Sequence, residues 1–134
     1  DIQENLHIRG SESHLYQLLD VLLDNALKYS EGEGPVELSL KSQGRACLLT
    51  VTSPGTPLNR QQQKDVFKRF YRADPARAQN GSYGLGLAIA QEIVHIHRGN
   101  IWVQGKDRFN TFFVLLPLCA RQREKTAAAE GADF

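Results

Sequence analysis

Leu15, Leu18, Leu19, Leu22 and Ala26 recur at three- and four-residue intervals. This spacing predicts a helix over about Ser13 to Tyr29 with one apolar face turned to a core. Ser11 or Ser13 can cap it, with Glu12 in its first turn. The period then changes to two. Val36, Leu38 and Leu40 alternate with Glu37, Ser39 and Lys41, the pattern of a half-buried strand. Ser42-Gln43-Gly44 reads as a hairpin connection, Arg45 to Thr52 as the return strand, and Ser53 to Leu58 as a turn-rich loop. Arg60 to Tyr71 reads as a helix carrying Val66, Phe67, Phe70 and Tyr71 on its apolar positions. Gly84 to His97 reads as a second long helix, with Ile89, Ile93 and Ile96 at core spacing and Gly99 as its C′ stop. Asn100 to Gln104 and Thr111 to Leu116 form a last hairpin around Lys106 to Asn110. Leu6 and Ile8 give a short strand signal ahead of the first helix. Helices on one face of a mixed, mainly antiparallel sheet follow, a two-layer α+β sandwich whose other sheet face looks to solvent or a partner domain.

One domain over residues 1–118 accounts for these elements, and 119–134 reads as a charged, Ala-rich tail without order. The chain opens directly on a strand-like segment, as a piece of a longer protein would. Its net charge of +1 gives no bulk case for nucleic acid or an acidic membrane surface. No apolar run approaches a membrane span, and no signal peptide is visible. Cys47 lies in a strand-like run far from Cys119, which favours a buried free thiol and a reducing, cytoplasmic setting.

Two features suggest a task beyond packing, although a plain loop-to-helix turn with glycine for flexibility also accounts for the first. Gly81, Gly84 and Gly86 feed straight into an apolar helix. Glycine permits close approach to the main chain, and a helix N-terminus offers unpaired N–H groups and positive dipole to an anion. Asn25 sits inside a Leu-rich helix on the face shared by Val21, Lys28 and Tyr29, although asparagine prefers caps and turns. A ligand-binding task is one account of it. An amide satisfied by a neighbouring backbone group is the other. Ala73 to Tyr83, rich in small and polar residues, reads as a mobile connection between the two features.

Four motifs in one order resemble the catalytic, ATP-binding domain of bacterial two-component sensor histidine kinases, in the GHKL or Bergerat-fold ATPase superfamily. Leu22-Leu23-Asp24-Asn25-Ala26-Leu27-Lys28-Tyr29-Ser30 resembles the N box, and Val51 to Leu58 stands where the G1 box belongs. Val66 to Asp74 resembles the F box, and Gly81 to Leu87 the G2 box. The resemblance spans about Leu6 to Pro117, and the combination is specific although no single box is.

The resemblance implies that Asn25 ligates Mg²⁺ through its side-chain oxygen, that Lys28 faces the phosphates and that Tyr29 packs or hydrogen-bonds nearby. It places Arg72 at the γ-phosphate, Ser53, Gly55 and Pro57 along the nucleotide, and Gly81, Gly84, Leu85, Gly86 and Leu87 around the phosphate-binding turn. Ala73 to Tyr83 becomes an ATP lid. Plainer accounts stand beside these: Lys28 as a solvated helix end, Arg72 as a salt-bridge partner, Tyr29 as core. Phe67 and Phe70 read as core before contacts for another domain. Three positions depart from the family. Val21 replaces an Asn four residues before Asn25, Ser53 replaces the G1 carboxylate that accepts the adenine amino proton, and Pro57 replaces a G1 glycine. None of His7, His14, His95 and His97 has the phosphoacceptor context, so that histidine is expected on a helical dimerisation domain outside this chain. The implied function is γ-phosphoryl transfer from ATP to that histidine, with a response regulator as the next partner and the membrane reached only through parts beyond this chain. Alternatives are a degenerate, nucleotide-responsive module and a Ser-directed kinase of the anti-sigma type, the latter opposed by the F box.

Overall fold

The computed structural model describes residues 10–32, 34–69 and 85–118. In chain order the elements are α1 (Glu12–Tyr29), β1 (Glu37–Gln43), β2 (Ala46–Pro54), α2 (Arg60–Asp65), α3 (Gly86–Ile96), β3 (Asn100–Lys106) and β4 (Phe109–Pro117). α1 starts where Ser11 Oγ accepts from the His14 N–H at 3.4 Å, with Glu12 and Lys28 at the ends their charges favour. Leu18, Leu22 and Ala26 are buried, and Leu15 and Leu19 pack at the margin of the same core. Full burial of a leucine is worth roughly 1.5–3 kcal/mol, so this stripe commits the face of α1 to the core.

The four strands form one antiparallel sheet in the order β1-β2-β4-β3. Leu49 and Val51 of β2, Ile101 and Val103 of β3, and Phe112, Val114 and Leu116 of β4 point to the helices. Ala90, Ile93 and Val94 of α3 close the core from above, and α1 and α3 pack against each other. Phe67 joins it edge-on to Phe112 at 6.1 Å, so this aromatic is core. Cys47 is a buried free thiol whose pKa burial pushes up to about 11, as its strand position implies. On the opposite sheet face Trp102 stacks on Phe113 at 5.2 Å.

Several expectations change. The β1–β2 connection is Gly44-Arg45, with Gly44 at φ +61, because Ser42 and Gln43 remain in the ladder opposite Cys47 and Ala46. β2 continues to Pro54, which the sequence assigns to a loop. A proline is tolerated there because β1 begins only at Glu37, opposite Thr52, so no ladder donor is required on that side. α2 stops at Asp65 rather than Tyr71, and Val66 and Phe67 lie in the turn beyond it. Asp65 is held by Lys68 at 2.8 Å, which lowers its carboxyl pKa. Ile96 is 61% exposed, and Ala90 and Val94 take the core positions beside Ile93. The left-handed residue ending α3 is Arg98 at φ 60, not Gly99. Arg98 N–H donates to His95 O at 3.0 Å and Gly99 N–H to Val94 O at 2.9 Å, a Schellman closure. Gly99 is bare for another reason: a side chain would run into Leu115 O and reach within 2.8 Å of Leu116 Cδ2. The β3–β4 turn shrinks to Asp107-Arg108, both at positive φ (53 and 66), as a tight hairpin demands. Leu118 is buried and donates to Arg45 O, so order extends to the end of the expected domain. The strand at Leu6 and Ile8, Phe70, Tyr71, the Ala73 to Tyr83 segment, Cys119 and the tail lie outside the described residues.

Candidate functional site

Three segments border the second half of α1. The first is α1 itself. Val21 and Asn25 lie one turn apart, and Asn25 is half-buried without a hydrogen-bond partner among the described residues. The account of Asn25 as an amide satisfied by neighbouring backbone therefore has no partner to rest on. Lys28 reaches back to Asp24 at 3.0 Å, with side chains 31% and 61% exposed. An exposed pair of this spacing contributes only ~0.3–0.5 kcal/mol, so a more highly charged anion can displace Asp24. Tyr29 is half-buried where the helix ends.

The second segment is the stretch after β2. Ser53 shares the side of the strand occupied by Val51, so it faces the helices. Gly55 passes over the end of α1, where a side chain on it would begin 3.6 Å from Tyr29 O. The loop is tied on every side. Glu31 N–H donates to Pro54 O at 2.9 Å, and Thr56 Oγ1 donates to the Glu31 carboxylate at 3.1 Å. Gly55 N–H donates to Arg108 O at 2.8 Å. The Asn110 amide accepts from Leu58 N–H and donates to Thr56 O, both at 2.9 Å. Gln63 Nε2 donates to Leu58 O at 2.8 Å. Pro57 is exposed on the outside of this loop.

The third segment is the start of α3. Gly86 lies against α1 at Val21, where an added Cβ would sit 3.4 Å from Val21 Cγ1. Leu85 precedes it, 36% exposed, and makes no side-chain capping hydrogen bond. Among the described residues no side chain caps the first-turn N–H groups of α3, around Gly86 and Leu87, where the helix dipole favours an anion. From Val21 to Tyr29 α1 rises roughly 12 Å, which sets the interval between the α3 start and the Gly55 loop.

Asn25, Lys28 and Tyr29 thus lie on the stretch of α1 that Gly55 meets at one end and Gly86 at the other, with Ser53 preceding the first contact and Leu85 and Leu87 flanking the second in sequence. Arg72, Gly81 and Gly84 lie outside the described residues. The sequence reading missed Asn110, Gly105, Glu31 and Gln63. Gly105 carried a signal, since a glycine inside a strand-like run marks close approach of another backbone. Among the described residues no group of three His, Cys, Asp or Glu could hold a metal unaided.

The family described as "Histidine kinase-, DNA gyrase B-, and HSP90-like ATPase" matches residues 10–120. The sensor protein DltS of Streptococcus agalactiae serotype V is 38% identical over 108 residues, covering 80% of this chain and 27% of DltS. This chain therefore spans about a quarter of the length of the curated relatives it matches. The mycobacterial sensor histidine kinase MprB superposes with a TM-score of 0.71 at 29% identity, over 83% of this chain and 74% of MprB. Histidine kinase ThkA, solved in complex with response regulator protein TrrA, shares the fold at a TM-score of 0.74 and 20% identity, over 92% of this chain and 34% of ThkA.

Proposed function

This chain belongs to the histidine kinase-, DNA gyrase B- and HSP90-like ATPases, and from that premise we propose that it is the ATP-binding catalytic domain of a sensor histidine kinase. The proposed reaction moves the γ-phosphoryl group of ATP to a histidine on a separate dimerisation domain, with a response regulator receiving it next. The observation that carries the proposal is the convergence of the α1 end, the tied loop after β2 and the uncapped start of α3.

Asn25 fits Mg²⁺ as a hard oxygen donor with no competing hydrogen bond among the described residues. With no acidic cluster beside it, the ion would complete its shell with phosphate oxygens and water. When bound, Mg²⁺ neutralises charge on the phosphates during transfer. Lys28 leaves Asp24 to act as a point charge on the same phosphates. The N–H groups around Gly86 and Leu87 receive phosphate oxygens. Ser53, on the helix-facing side of β2, offers a neutral acceptor to the adenine amino group. Arg72 is assigned the γ-phosphate on the resemblance alone. Catalysis on this plan is positioning plus charge stabilisation.

A degenerate, nucleotide-responsive module rests only on Val21, Ser53 and Pro57, and the relatives matched here are named as sensor proteins and sensor kinases. Among the described residues no helix is long and apolar enough to cross a membrane. A cytoplasmic place, as part of a longer membrane-anchored sensor, belongs to the proposal. The test is a calorimetric titration with ATP in the presence and absence of Mg²⁺, followed by autophosphorylation of the full-length kinase. Saturable, Mg²⁺-dependent binding is expected. No saturation at millimolar ATP would overturn the proposal.

A further inference from the structure

Asn110 stands directly opposite Ser53 in the β2–β4 ladder and opposite Gly105 in the β3–β4 ladder. It shares the strand side of Phe112 and Val114, so it faces the helices and the loop after β2. Both ends of its amide are used on that loop, on either side of Pro57. Pro57 lies inside the loop and Pro54 ends β2 just before it, and neither has an N–H to donate, so the loop cannot close a regular backbone ladder of its own. A primary amide carries N–H donors and a carbonyl acceptor in one plane, so Asn110, using one N–H and its oxygen as a peptide unit would, supplies the missing rung. Gly105 leaves the space into which the loop settles. A side chain there would approach Leu58 N to 2.6 Å and Asn110 Oδ1 to 2.9 Å. The remaining tethers come from backbone groups of Glu31 and Arg108, from the Glu31 carboxylate and from Gln63 at the loop's far end.

We infer that Asn110 is a positioning residue: its amide fixes the Gly55–Leu58 loop against the sheet and so sets the affinity of the site for the base end of the nucleotide. This rests on the proposed function above. The phosphate end is built from α1 and α3, and the Asn110 side chain's hydrogen bonds among the described residues go to Thr56 and Leu58, not to either helix. Loss of Asn110 therefore separates recognition of the base from recognition of the phosphates, which a general loss of stability does not do.

The test measures binding of Mg·ATP and of Mg·tripolyphosphate to the whole chain and to Asn110→Ala, Asn110→Thr and Gly105→Ala, with hydrogen exchange at the Leu58 amide. Removing both amide bonds should weaken ATP binding about 5- to 30-fold and leave tripolyphosphate within about twofold. Asn110→Thr, which keeps one hydroxyl for one of the two partners, should fall between. Gly105→Ala should reproduce the ATP loss with Asn110 intact, and Leu58 exchange should quicken in each variant. Equal losses for ATP and tripolyphosphate would overturn the inference, as would unchanged ATP affinity in folded variants. A wild-type chain that binds neither ligand would fail the proposed function itself and this inference with it. ATP binding that is unaffected by the substitutions defeats the inference alone.

Discussion

The two ends of the proposed site are built on opposite plans. At the loop after β2, polar backbone groups of Pro54, Gly55, Thr56 and Leu58 are satisfied from within the protein. At the start of α3, among the described residues, no side chain caps the first-turn donors. The first plan gives a fixed surface for a flat, weakly polar group, where shape and one or two hydrogen bonds decide affinity. The second keeps strong donors in reserve for a highly charged group that can organise its own surroundings. Rigidity is thus concentrated where the ligand brings little electrostatic energy, and openness where it brings much.

The largest effect should come from removing the group that joins the two ends. Asn25→Ala deletes the oxygen proposed to ligate the metal on a half-buried helix face, so the fold should persist while phosphotransfer in the full-length kinase drops at least ~100-fold. Circular dichroism and autophosphorylation measured together check this, and normal phosphorylation would remove Asn25 from the metal.

A second substitution sharpens the base end. Ser53→Asp offers a charge-assisted acceptor in place of a neutral one, which is worth on the order of 1–2 kcal/mol. ATP should bind about 5- to 30-fold tighter and selectivity over GTP should increase. Calorimetry with both nucleotides decides it. If neither affinity moves, position 53 does not face the base.

A third breaks the asymmetry at the phosphate end. Leu85→Asp places a carboxylate beside the open donors of α3. Stability should rise by about 0.3–1 kcal/mol through the helix dipole. Mg·ATP affinity should fall roughly 5-fold, because two anions then compete for one site. Thermal melts and titrations of the same sample read both changes, and an unchanged Mg·ATP affinity would show that this helix end does not meet phosphate.

The smallest effect belongs to the scaffold alone. Arg98 holds a left-handed backbone at the far end of α3 from the site. Arg98→Gly should stabilise the fold by at most ~1 kcal/mol with nucleotide affinity unchanged. A shift in affinity would mean that the two ends of α3 are coupled.

Local patterning alone determined much of this protein. The stripe Leu18, Leu22 and Ala26 required a helix with its face in a core, and Asn25 was conspicuous because it interrupted that logic. Alternation along β1 and β2 settled which side of the sheet is buried, since a strand's side chains have a strict period of two. The glycines ahead of α3 and the Asn-Lys-Tyr face of α1 singled out the candidate phosphate and metal residues on which the proposed function draws. Other features depended on groups far apart in the chain. Ile96 has core spacing yet is exposed, because α3 ends where its last turn leaves the sheet and Arg98 reverses the backbone. The α2 helix stops at Asp65 because Val66 and Phe67 find their burial by turning onto β4, not by extending a short polar helix. The clamp of Asn110 and Gly105 on Leu58 joins positions roughly fifty residues apart; Asn110 looks ordinary in its own strand, and Gly105 signals a close approach without saying of what. Periodicity reports which face a residue takes. Only the register between distant strands decides what that face meets.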